Sequence, residues 1–253
     1  MGGHVRYWVR KYHQLQDLGN YNSLYRLVEN DEMINGLLLS DATITKGRTP
    51  YENSRLQMMQ AEKNEQLCLK LQSHLQDLGF DTGTYKHNSK YKWKGETRFG
   101  WKTLVYSSQH PVFTWLRKKW YPQGKKIVPD DVVITPKTLA YWFMGDGSTT
   151  LKGKQKNVVH LVLCTEGFID EDLQKLKIRI EFLGINGIKF SNQVSYGKRL
   201  AIYKSEEQVK FLNIIAPYVL PIFMYKMKYP SSSLQKQNDL QIKQGGGVIR
   251  WQP

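Results

Sequence analysis

Two aspartates stand at the ends of apolar segments and could carry out chemistry together. In "NGLLLSDAT" and "YWFMGDGST" an apolar run ends in a small residue, then Asp41 or Asp146, then another small residue. The helix dipole opposes a carboxylate at a C-terminal helix end, and burying it unpaired is costly. A bound cation relieves both penalties, and Mg²⁺ prefers carboxylate and carbonyl oxygens. The alternative is an ordinary aspartate that faces water at each helix end.

The two segments belong to an internal repeat, in which Asp146 follows Asp41 by 105 positions. The same offset aligns Met58 with Leu163, Leu71 with Leu176 and Gly79 with Gly184. Further along, the offset shortens to 97 for Val112 and Val209, and to 100 for Lys126 and Lys226. One offset that aligns an acidic motif, an apolar segment and a helix-ending glycine indicates a duplicated domain.

Each half reads as a helix, a strand, a helix, two strands and a helix. Helices are predicted over 31–40, 64–78, 137–145 and 170–183, and strands over 98–106 and 199–205. The predicted organisation is an N-terminal extension (1–29), two halves (30–134 and 135–230) and a flexible tail (231–253). Two β-rich halves in one chain predict an approximate twofold axis, which suits the local twofold symmetry of duplex DNA.

Charge indicates a polyanionic partner. The 253 residues include 37 Lys and Arg against 22 Asp and Glu, for a formal charge of +15. Nucleic acid or an acidic membrane surface fits this excess, although a soluble protein can simply be basic. Two distant cysteines argue against a disulfide framework or a zinc site, and no apolar run is long enough to span a membrane. The start "MGGHVRYWVRKYHQLQ" lacks acids, as organelle transit peptides do, so we expect a mitochondrion or chloroplast.

Small residues in both apolar runs would allow two helices to pack closely. They are Gly36 and Ser40 in the first run and Ala140 and Gly145 in the second. Such packing at the twofold axis would bring the two aspartates together. Paired carboxylates that hold a divalent metal beside a basic DNA-binding face describe metal-assisted phosphodiester hydrolysis.

The motifs resemble those of a known family. "INGLLLSDA" (34–42) and "LAYWFMGDG" (139–147) resemble the two LAGLIDADG motifs of single-chain homing endonucleases, and the resemblance extends over about residues 30 to 230. It implies an α+β fold of two pseudo-symmetric αββαββα halves, with antiparallel DNA-binding sheets and the motif helices packed at the pseudo-twofold interface. Tyr141 departs from the pattern, which has glycine there, so we expect that helix to pack less tightly or to turn that face away.

The resemblance also implies roles for individual residues. Asp41 and Asp146 would be metal ligands and catalytic acids, with the backbone carbonyls of Ser40 and Gly145 adding oxygens to Mg²⁺, for which Mn²⁺ can substitute. Lys126 and Lys226 would position water or stabilise charge on the phosphate. Lys125 competes with Lys126 for that role, and spacing alone fits ordinary solvated lysines equally well.

Side chains suited to reading DNA concentrate in a few segments. Arg and Lys suit guanine edges and phosphates, whereas Asn and Gln suit adenine. Taken singly, each also fits a solvated loop charge. The predicted DNA-binding residues are Lys46, Arg48, Lys86, Lys90, Lys92, Lys94, Arg98, Lys102, Asn192, Gln193, Lys198, Arg199 and Lys204.

Three functions follow from this resemblance. The first is an intron-encoded, monomeric endonuclease that cuts both strands of a long, non-palindromic DNA target and leaves short 3′ overhangs. The second is an intron maturase, which would bind host intron RNA on the same scaffold. The third, a DNA-binding regulator of degenerate nuclease ancestry, has little reason to retain both acids.

Overall fold

The computed structural model describes residues 18–49, 51–93, 95–152, 158–193 and 197–230. The expected organelle signal and the expected flexible tail therefore lie outside the described residues, and both stay predictions. Within the described ranges, none of the helices combines the length and apolarity that crossing a membrane requires.

Seven α-helices and eight strands are described. The helices are α1 (Leu18–Glu29), α2 (Glu32–Leu38), α3 (Glu65–Asp77), α4 (Pro111–Trp120), α5 (Pro136–Asp146), α6 (Asp170–Glu181) and α7 (Ser205–Ile215). The strands are β1 (Ala42–Thr45), β2 (Arg55–Ala61), β3 (Thr82–Trp93), β4 (Glu96–Ser107), β5 (Gly147–Lys152), β6 (Val158–Leu163), β7 (Ile188–Gln193) and β8 (Gly197–Ile202). The four helices predicted from periodicity are present, with ends that differ by two residues at most.

The strands form two antiparallel sheets with the same order, β1-β2-β4-β3 and β5-β6-β8-β7. Ala42 lies opposite Met58 in the first sheet, and Gly147 lies opposite Leu163 in the second. These two pairs are related by the predicted offset of 105, which confirms both the repeat and its alignment in this region. The chain is thus an α+β fold of two pseudo-symmetric halves.

The residue patterns alone did not predict β1 and β5. They predicted one strand between the first and second helices of each half, where the structure has two. Both strands begin directly after an aspartate of the repeat. β1 has only four residues, "ATIT", and β5 opens with Gly147 and Ser148, so neither carries the long alternating pattern that marks a strand. The αββαββα order implied by the family resemblance is the order observed.

The last helix of each half also aligns differently from the prediction. The buried face of α4 consists of Val112, Phe113, Leu116 and Trp120, and the buried face of α7 includes Glu207, Gln208, Phe211 and Ile215. These faces correspond at an offset of 95, so the predicted offset of 97 is wrong here. The predicted alignment matched residues of the same type. In the structure, the two helices instead correspond by which of their residues are buried. A buried Glu207 is tolerated because it accepts from the Asn186 N–H at 2.6 Å.

Helices α2 and α5 pack against each other between the two halves, and we call this contact the seam. A Cβ atom on Gly36 would lie 2.4 Å from the Thr138 carbonyl oxygen and 2.8 Å from the Tyr141 Cβ. The backbones therefore approach as closely as glycine alone allows. Tyr141 is buried and faces Gly36, so both expectations about it were wrong: its bulk fits because the opposite residue has no side chain.

Each sheet covers the helices with one face. In the first sheet, Met58 and Val105 lie opposite each other and are buried on the helix-side face. Their strand neighbours Leu104 and Tyr106 point the other way and are partly exposed. We call this second face of each sheet the open face. Because residues opposite each other on adjacent strands share a face, the register assigns every paired residue to one of the two.

Candidate active site and nucleic-acid interface

The two predicted aspartates lie together at one end of the seam. Asp146 is the last residue of α5, and Asp41 follows α2 by one short turn. A Cβ atom on Gly145 would lie 2.4 Å from the Ser40 hydroxyl oxygen and 2.7 Å from the Asp41 carboxylate oxygen Oδ2. The Asp41 carboxylate therefore touches the residue that precedes Asp146, and the expectation that glycine permits this approach is confirmed.

The pKa of the Asp146 carboxyl is raised to about 6. Burial is the largest cause and the nearby Asp41 carboxylate is the second, whereas Lys126 and Lys226 act in the opposite direction. Two carboxylates at one site resist simultaneous ionisation, and a cation between them would remove that resistance.

Gln60 orients the Asp41 carboxylate, a contact that our sequence reasoning missed. The Gln60 side-chain amide donates to Asp41 Oδ2 at 2.6 Å and accepts from the Asn64 amide at 3.3 Å. The signal was present in the sequence, because Gln60 follows Leu56 and Met58 at alternate positions on the buried face of β2. A buried amide on an otherwise apolar face needs a polar partner.

Lys126 reaches the end of α2, and its competitor Lys125 does not. The Lys126 ammonium donates to the Ala42 carbonyl at 2.9 Å and to the Ser40 carbonyl at 3.4 Å. Lys125 is exposed. The structure therefore decides between the two lysines: Lys126 reaches the site and Lys125 does not.

Lys226 occupies the equivalent position in the second half. Its ammonium donates to the Met144 carbonyl at 2.7 Å and to the Gly145 carbonyl at 3.0 Å. Gly145 corresponds to Ser40 at the repeat offset of 105, so both lysines bind the carbonyl that precedes an aspartate. Each ammonium also neutralises the negative end of a seam helix.

Burial lowers the pKa of both lysines. The pKa of Lys126 falls to about 8, because desolvation outweighs the attraction of the Asp146 and Asp41 carboxylates. Desolvation likewise lowers the pKa of Lys226, against the same two carboxylates. With a pKa of about 8, Lys126 can exchange a proton near neutral pH, as general acid–base chemistry requires.

The oxygen atoms at this site suit a hard divalent cation. The described residues contain no group of three or more His, Cys, Asp or Glu side chains that could hold a metal. The protein ligands would therefore be the two aspartates and backbone carbonyls, with the remaining positions left to water or a phosphate, as is usual for Mg²⁺. The Ser40 and Gly145 carbonyls each accept from a lysine and retain a second lone pair. The residues present thus fit the expected metal.

The predicted DNA-binding residues divide between the two sheet faces. Arg98, Lys102 and Arg199 lie on the open faces, whereas Lys86, Lys90, Lys92 and Lys198 share the helix-side faces. Lys46 and Arg48 are exposed in the loop after β1, and Lys204 is exposed directly before α7. Asn192 and Gln193 lie in β7, and Lys94 lies outside the described residues. The structure therefore does not bring the whole predicted set to one surface.

Ion pairs agree with this division. Lys86 pairs with Glu65 at the start of α3 at 3.2 Å, and Lys198 pairs with Asp170 at the start of α6. These partners belong to the helical layer, so the two lysines point towards it.

The open face of the first sheet contains polar residues that the prediction omitted. The Arg55 guanidinium stacks over the Tyr106 ring at 4.8 Å, and Gln57 lies opposite Tyr106 on the neighbouring strand. Alternation along "RLQMMQAE" was the available signal, because Arg55 and Gln57 alternate with buried Leu56 and Met58.

Comparison with known proteins agrees with this architecture. Residues 31–212 match the model of the LAGLIDADG DNA endonuclease family. The chain is 32% identical over 195 residues to Uncharacterized protein MJ1098 of Methanocaldococcus jannaschii, covering 77% of this chain and 72% of that protein. It is 26% identical over 235 residues to Cytochrome b mRNA maturase bI2 of Debaryomyces hansenii, covering 89% of this chain and 83% of the maturase.

A solved structure of the homing endonuclease I-WcaI bound to its DNA recognition sequence shares the fold, with a TM-score of 0.64 and 25% identity. The similarity covers 79% of this chain and 86% of that one. With two motif helices at a seam, an aspartate at the end of each and a family model that matches most of its length, this chain belongs to the LAGLIDADG DNA endonuclease family.

Proposed function

We propose that this chain is a monomeric, site-specific endonuclease that cuts both strands of a long, non-palindromic DNA target and leaves short 3′ overhangs. The observation that carries the proposal is the pair Asp41 and Asp146 at one end of the seam, each preceded by a carbonyl that a half-buried lysine contacts. One chain supplies both halves of this arrangement, so it needs no second copy to address two strands.

Mg²⁺, or Mn²⁺ in its place, would be held by the carboxylates of Asp41 and Asp146 and the carbonyl oxygens of Ser40 and Gly145. When bound, a divalent cation supplies Lewis-acid stabilisation of the phosphate and a nucleophilic water at neutral pH. Gln60 holds the Asp41 carboxylate in one orientation through its 2.6 Å hydrogen bond. Lys126 and Lys226 place positive charge beside the acids, where negative charge develops on the phosphate.

The open faces of the two sheets would hold the DNA duplex. Both faces lie outside the helical layer, and they present Arg55, Arg98, Lys102 and Arg199. The formal charge of +15 favours phosphate contacts, which supply most of the affinity for any sequence. Base edges in the major groove would then be read by the arginine and amide side chains of these strands.

The test begins with selection of cleavable sites from a random DNA library, followed by cleavage of the selected target with Mg²⁺. Asp41→Asn and Asp146→Asn are each expected to abolish double-strand cleavage while target affinity stays within a few-fold. Asp77→Asn is the matched control, because Asp77 is also the last residue of a helix but is exposed and belongs to neither motif helix. Wild-type cleavage of both strands by either seam variant would disprove the proposal.

A second candidate is an intron maturase, and one observation favours it. The similarity to the maturase of D. hansenii extends over 89% of this chain. A splicing assay on the parent intron, run with wild type and Asp41→Asn, separates the two functions. Splicing that depends on the protein and survives the substitution would assign maturase activity, and cleavage of intron-less target DNA would assign the nuclease.

A further inference from the structure

The hairpin β3–β4 is longer than its counterpart and leaves part of its helix-side face uncovered. β3 and β4 have twelve residues each, whereas β7 and β8 have six each. On the helix-side face of β4, burial stops at Thr103, whose hydroxyl donates to Glu65 at the start of α3. Towards the hairpin turn, Trp101 and Phe99 continue the same face, and both are exposed rather than covered by any helix in the described part of the chain.

Two large aromatic residues occupy this uncovered face. Phe99 is 66% exposed and Trp101 is 50% exposed. Their cross-strand partners are Lys90 opposite Phe99 and Asn88 opposite Trp101, so all four side chains share one face. Lys92 lies on the same face one pair further out. We call Asn88, Lys90, Lys92, Phe99 and Trp101 the outer hairpin face.

The outer hairpin face is the reverse side of the surface assigned to the duplex. Arg98 and Lys102 alternate with Phe99 and Trp101 along β4 and therefore point to the open face. Tyr85 also lies on the open face, where it is 57% exposed. A ligand on the outer hairpin face would therefore leave the open face free for a duplex.

The charge of the outer hairpin face indicates which kind of ligand it can bind. Lys90 and Lys92 are exposed and form no ion pair with any residue in the described part of the chain. A second copy of this protein is a poor occupant because it is itself strongly basic, and the chain outside the described residues also carries more Lys and Arg than acids at each end. A polyanion is the complementary partner.

The exposed aromatic rings restrict the kind of polyanion that this face can bind. Stacking on Phe and Trp requires unpaired bases, because a duplex hides the base faces in its own stack. Unpaired bases are a regular feature of RNA loops, and the Asn88 amide can donate to or accept from a ribose 2′-hydroxyl or a base edge. We propose that the outer hairpin face binds a single-stranded segment of RNA, which goes beyond the proposed cleavage of duplex DNA.

Fluorescence anisotropy with the full chain tests this site. The probe is a labelled 12-nucleotide RNA without self-pairing, measured with excess unlabelled duplex of unrelated sequence to occupy the open faces. The Phe99→Ala/Trp101→Ala variant is expected to bind this RNA at least tenfold more weakly, as follows from losing two stacking platforms. Tyr85→Ala is the matched control, because it removes an equally exposed ring from the opposite face of the same hairpin, and RNA affinity should change less than twofold.

A second variant guards against loss of the hairpin itself. Lys90→Glu/Lys92→Glu changes only exposed side chains without ion-pair partners in the described ranges, so the fold should persist, and RNA binding should again fall at least tenfold. Unchanged RNA affinity in both variants, or equal loss in Tyr85→Ala, would overturn the site. Equal affinity for single-stranded DNA of the same sequence would overturn the assignment to RNA. The cleavage-deficient Asp41→Asn variant should bind the RNA normally, so this proposal and the endonuclease proposal fail independently.

Discussion

The two halves share a backbone but surround their aspartates differently. Asp41 accepts a hydrogen bond from Gln60, a residue of β2. The equivalent of Gln60 at the repeat offset is Thr165, whose hydroxyl donates to the Lys198 carbonyl at 2.8 Å instead. Within the described ranges, the Asp146 carboxylate accepts no side-chain hydrogen bond, and its pKa is raised to about 6 by burial and by Asp41.

This difference shows which features a duplicated fold retains. Strand register and the seam are fixed by buried contacts on many residues, so they agree between halves at a constant offset. A side chain beside one acid touches few neighbours and can change without disturbing the core. We therefore expect the two acids to work at unequal rates and the two strands to be cut in a preferred order.

The largest effect is expected at the seam, where the two helices differ: Gly36 of α2 faces Tyr141 of α5. Gly36→Ala would place a methyl group 2.4 Å from the Thr138 carbonyl oxygen, which is backbone and cannot move aside. We expect the free energy of unfolding to fall by about 2 kcal/mol, since overpacking outweighs the better helix propensity of alanine. Urea unfolding measures the change.

Gly167→Ala is the control for the seam variant, because nothing lies within 4 Å of the position that its new methyl group would take. Its free energy of unfolding should change by less than about 0.5 kcal/mol. A Gly36→Ala protein as stable as wild type would show that the seam is looser than its geometry indicates.

Removing the Gln60 donor should have the next largest effect. Gln60→Met keeps the length of the side chain but loses the hydrogen bond to Asp41. Groups that orient a metal ligand typically change activity by about tenfold or more, so cleavage of one strand should slow about tenfold and nicked plasmid should accumulate. Thr165→Val is the control in the second half, where neither strand should slow more than twofold. Equal slowing of both strands by Gln60→Met would contradict the assignment to one half-site.

The smallest expected effect concerns the last helix of each half. The His110 ring caps α4 by accepting from the Val112 N–H at 3.2 Å, whereas Lys204 gives α7 no side-chain cap. Burial lowers the pKa of His110, so the folded state favours the neutral ring. The resulting stability is present above the unfolded pKa of about 6.5, and it is lost as pH falls below that value and through the lower pKa of the folded state.

His110→Asn retains an acceptor for the helix cap and does not titrate. Thermal unfolding between pH 7.5 and 5.5 should therefore show a smaller acid-induced loss in this variant, by about 1 kcal/mol or less. His87→Asn, at an exposed position of the first hairpin, should leave the pH profile as it is in wild type. The same acid-induced loss in His110→Asn and wild type would assign that loss to other groups.

Sequence reasoning succeeded where the signal is periodic or repeated. Apolar spacing located four helices, and one offset paired Asp41 with Asp146 and aligned β2 with β6. It failed for β1, which has only four residues, and for β5, which opens with Gly147 and Ser148. It also failed for the pairing of α4 with α7, where residue types matched but buried faces did not. The Gln60 contact was also missed, because its partner lies 19 positions away and is reached only through the fold.

The sequence by itself determined the duplicated architecture, the two apolar motif helices and the acids at their ends, because these depend on local periodicity and on similarity between halves. Only the tertiary structure decided that Lys126 rather than Lys125 reaches the site, that Tyr141 packs on Gly36, and that the basic residues of the hairpin divide between two faces. Those outcomes depend on strand register and on the closeness of two helices. Shifting a strand by one residue reverses every side chain, so the face of each basic residue is decided only when its strand pairs in one register.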